Sequence, residues 1–185
     1  NWMALLGAWT LLGLLAGLVA GAERGGAAFA WTAGIVSTLL LLLTPLFNGG
    51  GGLAQPLDGQ QLSPQAQLLL ILAAVIPLGA YPFHVWLSPS AQRSPGRQLA
   101  LHMLGAVASL HLLGRFSLPL LASLAWAPLI IVALLGSALA TWADRDERRA
   151  WSFALINRST WALMALGLSQ LPPPLGADYP MLALA

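Results

Sequence analysis

The chain has 185 residues, 58% of them hydrophobic and 8% charged, with no Lys and no Cys. A charged share so far below the roughly 25% of an average soluble domain argues against a water-soluble fold, and the lack of Cys excludes disulfides, thiolate metal sites and iron–sulfur ligation. The formal charge of +2 comes from Arg scattered over several loops with acids among them; that is no phosphate-binding stripe, and no nucleic acid partner is expected.

A helix needs about 20 apolar residues to cross a bilayer, and such stretches recur along the chain. The first two run from Trp2 to Ala22 and from Ala27 to Phe47. A Gly-, Gln- and Pro-rich connection follows over residues 48–64, with Gly49-Gly50-Gly51-Gly52 and Asp58, and reads as an exposed loop. The third stretch, Gln65 to Leu87, contains Pro77 and Pro82. Each proline removes a backbone donor and clashes with the preceding turn, so a broken helix is predicted there. Three more follow, at Leu99 to Phe116, Pro119 to Ala143 and Trp151 to Leu171, and a seventh begins near Tyr179. A membrane β-barrel would need short alternating segments instead. The expected fold is an all-α, polytopic transmembrane bundle of six to seven helices. The start at Asn1, straight into an apolar stretch without the basic flank of a signal peptide, makes the sequence look like a piece of a longer one.

If the loops alternate sides, one side holds Arg24, Arg93, Arg97, Arg145, Arg148 and Arg149 and the other only Arg115. Short basic loops stay in the cytoplasm, which makes the first side cytoplasmic and puts Asn1 outside. Trp86, Trp142 and Trp151 fall near proposed span ends, as interfacial anchors do.

Ionisable groups at membrane depth are costly and mark ion or substrate pathways on average. The candidates are His84, His102, His111 and Arg158. His102 and His111 are nine residues apart, half a turn out of phase at about 100° per residue, so they point to opposite faces and a shared metal site is not expected. Each is either a histidine satisfied by backbone or a proton-relay group titrating near neutral pH. His84, just after Pro82, either holds the broken backbone together or transfers protons, because such breaks at depth are buried in protein or line a wet cavity. Arg158 either snorkels to the interface or serves as a buried counter-charge. The run from Asp144 to Arg149 reads as a solvated turn with weak ion pairs. No hydrolase or metal-enzyme motif is present, so no catalytic residue is expected.

The segment Tyr81-Pro82-Phe83-His84-Val85-Trp86-Leu87, a Pro-containing loop with Pro89 and Pro95, and a helix ending Leu112-Leu113-Gly114-Arg115-Phe116 together resemble the antiporter-like, proton-translocating subunits of complex I (NADH-quinone oxidoreductase) and related Mrp-type antiporters. In that family a Pro-Phe-His-x-Trp-Leu-Pro stretch follows a broken helix. Asp146-Glu147-Arg148-Arg149-Ala150-Trp151-Ser152-Phe153 is similar to the family's Asp-x-Lys-Arg turn into a helix, which lies on the cytoplasmic side. Ala8-Trp9-Thr10-Leu11-Leu12 and Gly25-Gly26-Ala27-Ala28 sit where the family has a Trp-Glu-Leu helix and a Gly-Ala-Ala loop. The resemblance runs from about Trp9 to Gly167 and covers the middle helices of the fold. It implies that residues 1–118 belong to the first antiporter-like repeat and 119–185 begin the second.

The family's charge pair, a Glu and a Lys, falls on Thr10 and Pro77 here, so that pair is lost; the family's histidine falls within one position of His102. What the resemblance implies is an integral membrane subunit contributing to redox-coupled proton translocation, in a bacterial cytoplasmic or thylakoid-type membrane. It would bind other membrane subunits and lipid, carry no cofactor itself, and leave iron–sulfur, flavin and quinone to its partners. The alternatives are a non-conducting structural subunit, for which Gly7, Gly13, Gly17 and Gly21 suit close packing, or a subunit of a cation/proton antiporter or inorganic-carbon uptake system.

Overall fold

The computed structural model describes residues 1–20, 26–49, 53, 61–80, 82–84, 95–121, 123 and 126–171. Among these residues there are six helices and no strand: α1 (Trp2–Ala20), α2 (Gly26–Phe47), α3 (Pro64–Leu78), α4 (Pro95–Gly114), α5 (Ala127–Ala143) and α6 (Glu147–Ser169). The proposed start of a seventh near Tyr179, Trp86 and most of the 48–64 connection lie outside the described residues. Two helices are long and apolar enough to cross a membrane by length and composition, α1 and the Ala28–Phe47 part of α2. Helices α3 and α5 are apolar but shorter, and α4 and α6 are diluted by polar residues such as Gln98, His102, Ser109 and the run Asn157-Arg158-Ser159-Thr160.

The bounds of two predicted stretches are refined. The third is broken between Pro77 and Pro82, as expected: α3 does not run on past Leu78, and Gly79 caps it in the left-handed conformation (φ 70°), its N–H directed to the Val75 and Ile76 carbonyls. Glycine adopts that conformation without steric cost, which makes it the usual helix terminator. A tight turn at Ala80 to Phe83 follows, closed by a 2.7 Å backbone bond. The fifth stretch does not start helically at Pro119 either. The described residues from Leu118 to Trp126 form turns, because two glutamine side chains take up backbone donors there. Gln67 accepts from Leu120 N at 3.0 Å and Gln170 accepts from Leu118 N at 3.2 Å. Helix α5 begins only at Ala127, with a proline in its first turn, where a missing N–H costs nothing.

Helix α1 packs on α2, α2 on α3, α3 on α4, α4 on α1 and α6, and α5 on α6. Close approach of α1 and α2 depends on glycine: a Cβ on Gly13 would touch the Gly34 backbone at 3.4 Å, and one on Gly17 would meet the Trp31 ring at 2.6 Å. Gly7, by contrast, faces open space. The helices alternate between two ends. At one end Met3 N donates to Leu53 O, Trp2 stacks on Phe116 at 5.7 Å, and Gln67 and Gln170 hold the turn after α4. At the other, Ala20, Ala30, Leu101 and Ile156 cluster, with Phe153 against them. Between α5 and α6 the half-buried Asn157 amide donates to Leu134 O and to Ser137 Oγ, both at 2.9 Å.

Pro77 sits in the last turn of α3. Lacking an N–H, it leaves the carbonyl four residues back, that of Ala73, without its helical partner. The Ser37 hydroxyl of α2 donates to that carbonyl, and the Trp9 indole of α1 donates to Ser37 Oγ at 2.7 Å. Three helices are thereby linked through one proline defect, and both Ser37 and Trp9 are buried.

Candidate functional site

Three buried polar side chains, Gln98, His102 and Ser152, meet where α4 packs on the first turns of α6. His102 is 3% exposed and Gln98, one turn earlier on the same face, 5%. The Gln98 amide nitrogen lies 3.1 Å from His102 Nε2 and donates to Ser152 Oγ at 3.4 Å, while Ser152 donates to the Arg148 carbonyl at 3.1 Å. An amide N–H directed at Nε2 requires that ring nitrogen to act as an acceptor, whereas the amide turned over would offer its oxygen to a protonated ring. Gln98 can therefore bond His102 as donor or as acceptor, according to which way its amide is turned.

His84 stands next to the same stretch of α6. Its ring tilts against Phe153 at 5.4 Å between centroids, and the Pro82 carbonyl accepts a hydrogen bond from it. Its Nδ1 is buried without a hydrogen-bond partner, and Phe153, against which the ring rests, is the neighbour in sequence of Ser152.

His111 lies in the last turn of α4 and is exposed, on the opposite face from His102 as the nine-residue spacing requires. Arg158 is exposed on α6. Thr10 is exposed and returns its hydroxyl to the Leu6 carbonyl at 2.7 Å. Pro82 is exposed in the turn after α3, and Pro77 lines a cavity of about 20 Å³ with Trp9, Ser37, Gly34 and Gly105. That is room for about one water. Ser109, fully buried one turn beyond Gly105 on the inner face of α4, has a hydroxyl without a hydrogen-bond partner.

Gln98, Ser152, Ser37 and Ser109 escape a search for titratable groups because they are uncharged and fit no motif. A signal points to one of them: Gln98 is four residues before His102, on the same helix face. Among the described residues no three His, Asp or Glu side chains are grouped to hold a metal ion. No protein-family model, no curated protein and no solved structure matches the chain.

Proposed function

We propose that the chain is a polytopic, antiporter-like membrane subunit of a complex I-type assembly, contributing to redox-coupled proton translocation. The observation that carries this reading is the buried Ser152–Gln98–His102 line at the arginine-bearing end of the bundle, beside the point where α3 breaks off. Along the inner face of α4 the line is followed by Gly105, which borders the small cavity, and by the unpartnered hydroxyl of Ser109. Buried groups that can exchange a proton, set among apolar helices, have the makings of a proton path. The sequence motifs around His84 and Trp151 support the family, in which residues 1–118 would form the first repeat and 119–185 begin the second. In this reading the Arg-rich loops are cytoplasmic, in a bacterial inner or thylakoid-type membrane. Iron–sulfur, flavin and quinone belong to partner subunits.

The test is proton translocation per electron in the native complex. His102→Ala lowers it if the line conducts; unchanged stoichiometry with an intact complex rejects the path. Co-purification in mild detergent decides the partners: redox subunits support the proposal, while antiporter or carbon-uptake partners alone favour those alternatives.

A second reading, a structural subunit that does not conduct, is favoured by the positions of the family's charge pair. Thr10 closes its hydroxyl on its own helix, and the carbonyl freed by Pro77 is satisfied by Ser37. On that reading His102→Ala leaves translocation unchanged, whereas disrupting the Trp9–Ser37 link loosens the complex.

A further inference from the structure

We propose that Ser152, acting through the Gln98 amide, holds His102 as the neutral tautomer with its proton on Nδ1 and its Nε2 lone pair turned toward Gln98. The three side chains are almost wholly buried, Gln98 5% exposed, His102 3% and Ser152 1%, so each must take the hydrogen-bonding role that its neighbours leave. The Ser152 hydroxyl has a single proton, and the Arg148 carbonyl, one turn back on α6, accepts it at 3.1 Å. Toward Gln98 the same oxygen can then only accept. The group 3.4 Å from it is therefore the amide NH2 and not the amide oxygen. That NH2 has a second proton, directed at His102 Nε2 at 3.1 Å. A ring nitrogen that accepts carries no proton, so in the neutral imidazole the proton is on Nδ1.

The opposite arrangement is poorer by one bond. With the amide turned over, its oxygen would accept from a protonated Nε2 and from Ser152, and the Ser152 proton would have to leave the Arg148 carbonyl. Two bonds would then stand in place of three. The Arg148 carbonyl does not oppose the change, since it keeps its helical donor, the backbone N–H of Ser152. No buried charge overrides the count. Helices α1 and α3, which also pack on α4, have no titratable side chain, and on α6 Glu147, Arg148, Arg149 and Arg158 are exposed. On α4 itself Arg97 and His111 are exposed, and His84 rests against Phe153, the residue after Ser152. Ser152 is thus a positioning residue, which touches Gln98 and sets His102 at one remove. The consequence for protons rests on the function proposed above: an incoming proton finds its lone pair only at Nε2, and its arrival obliges the amide to turn and the Ser152 proton to swing from the Arg148 carbonyl to the amide oxygen.

Nitrogen NMR of the full protein in lipid bilayers reads the tautomer directly, with histidine labelled and the His102 signals identified by their loss in His102→Gln. At about pH 8, above the ordinary histidine range, the expected spectrum has Nδ1 protonated and Nε2 bare. Ser152→Ala frees the amide to turn and should move the tautomer ratio about fivefold toward the Nε2-protonated form, the worth of one net hydrogen bond. Ser152→Thr, whose hydroxyl can bond the same carbonyl, should keep the wild-type ratio. Gln98→Met, with no N–H to give, should relax the ratio as Ser152→Ala does, and it carries the test if Ser152→Ala fails to fold. A proton on Nε2 in the wild type overturns the proposal, and so does a ratio that Ser152→Ala leaves unchanged. Translocation is a separate readout. Normal pumping by His102→Ala with the tautomer held as described rejects the proton path and leaves the role of Ser152 standing, whereas impaired pumping with a proton on Nε2 does the reverse.

Discussion

Ser37 accepts from Trp9 and donates to the carbonyl that Pro77 leaves open, so its loss should matter more than that of a typical serine. Ser37→Ala leaves a buried indole N–H and a buried carbonyl unsatisfied, a cost of about 1–3 kcal/mol. The coupling to Pro77 makes this specific: in a Pro77→Ala background the Ala73 carbonyl regains its helical donor, and the additional effect of Ser37→Ala should shrink. Unfolding midpoints of the two single variants and the double variant in detergent measure it, and equal effects in both backgrounds reject the link. The relation was half legible in the sequence. Pro77 announces a free carbonyl at Ala73 by arithmetic alone, but nothing in a linear reading says which hydroxyl from thirty-six residues away will come to meet it. The opposite exposure of His102 and His111 was legible, being a matter of helical phase. Gln98 and Ser152 were not, since an uncharged side chain becomes part of a site only through its neighbours.

At the scale of elements, hydrophobic length located the helices better than it located their ends. An apolar run ending in Pro-Leu-Gly and one starting at Pro119 both continue as apolar sequence where the backbone does not continue as helix. Gly79 stops the first by a backbone preference. At the second, Gln67 and Gln170 compete for the N–H groups of Leu120 and Leu118, tertiary partners that a local reading does not contain. The α1–α2 crossing yields a contrast between two glycines of one helix. Gly17→Ala drives a methyl into the Trp31 ring and should destabilise by about 1–3 kcal/mol. Gly7→Ala meets nothing and should be neutral or gain up to about 1 kcal/mol from helix propensity. Thermal unfolding of both variants checks it; equal shifts would mean that the crossing is not set by Gly17.

The whole molecule places Arg97 and the Asp144–Arg149 turn at one end and Arg115 at the other, because Gln98 meets Ser152 while Gly114 nears Leu166 along two parallel helices. Arg24 and Arg93 lie outside the described residues; the separation of the others makes a topology experiment direct on the membrane reading proposed above, since the sequence has no native Cys. Cys introduced at Asp146 and at Ser117 should react with an impermeant maleimide from opposite sides of the membrane, Ser117→Cys from outside and Asp146→Cys only after permeabilisation. Labelling of both from one side would reject the alternating arrangement.

The Asn157 bonds to Leu134 and Ser137 bear on biogenesis. An amide in the middle of a helix that already carries Arg158 is a poor candidate to partition into lipid by itself. Docked on α5, it arrives with its hydrogen bonds made, across a turn of only Asp144 to Asp146. On the membrane reading proposed above, the two helices leave the insertion machinery as a hairpin, with α5 waiting for α6. A chain released after α5 should still be retained in the membrane, whereas α6 presented without α5 should slip through to the far side.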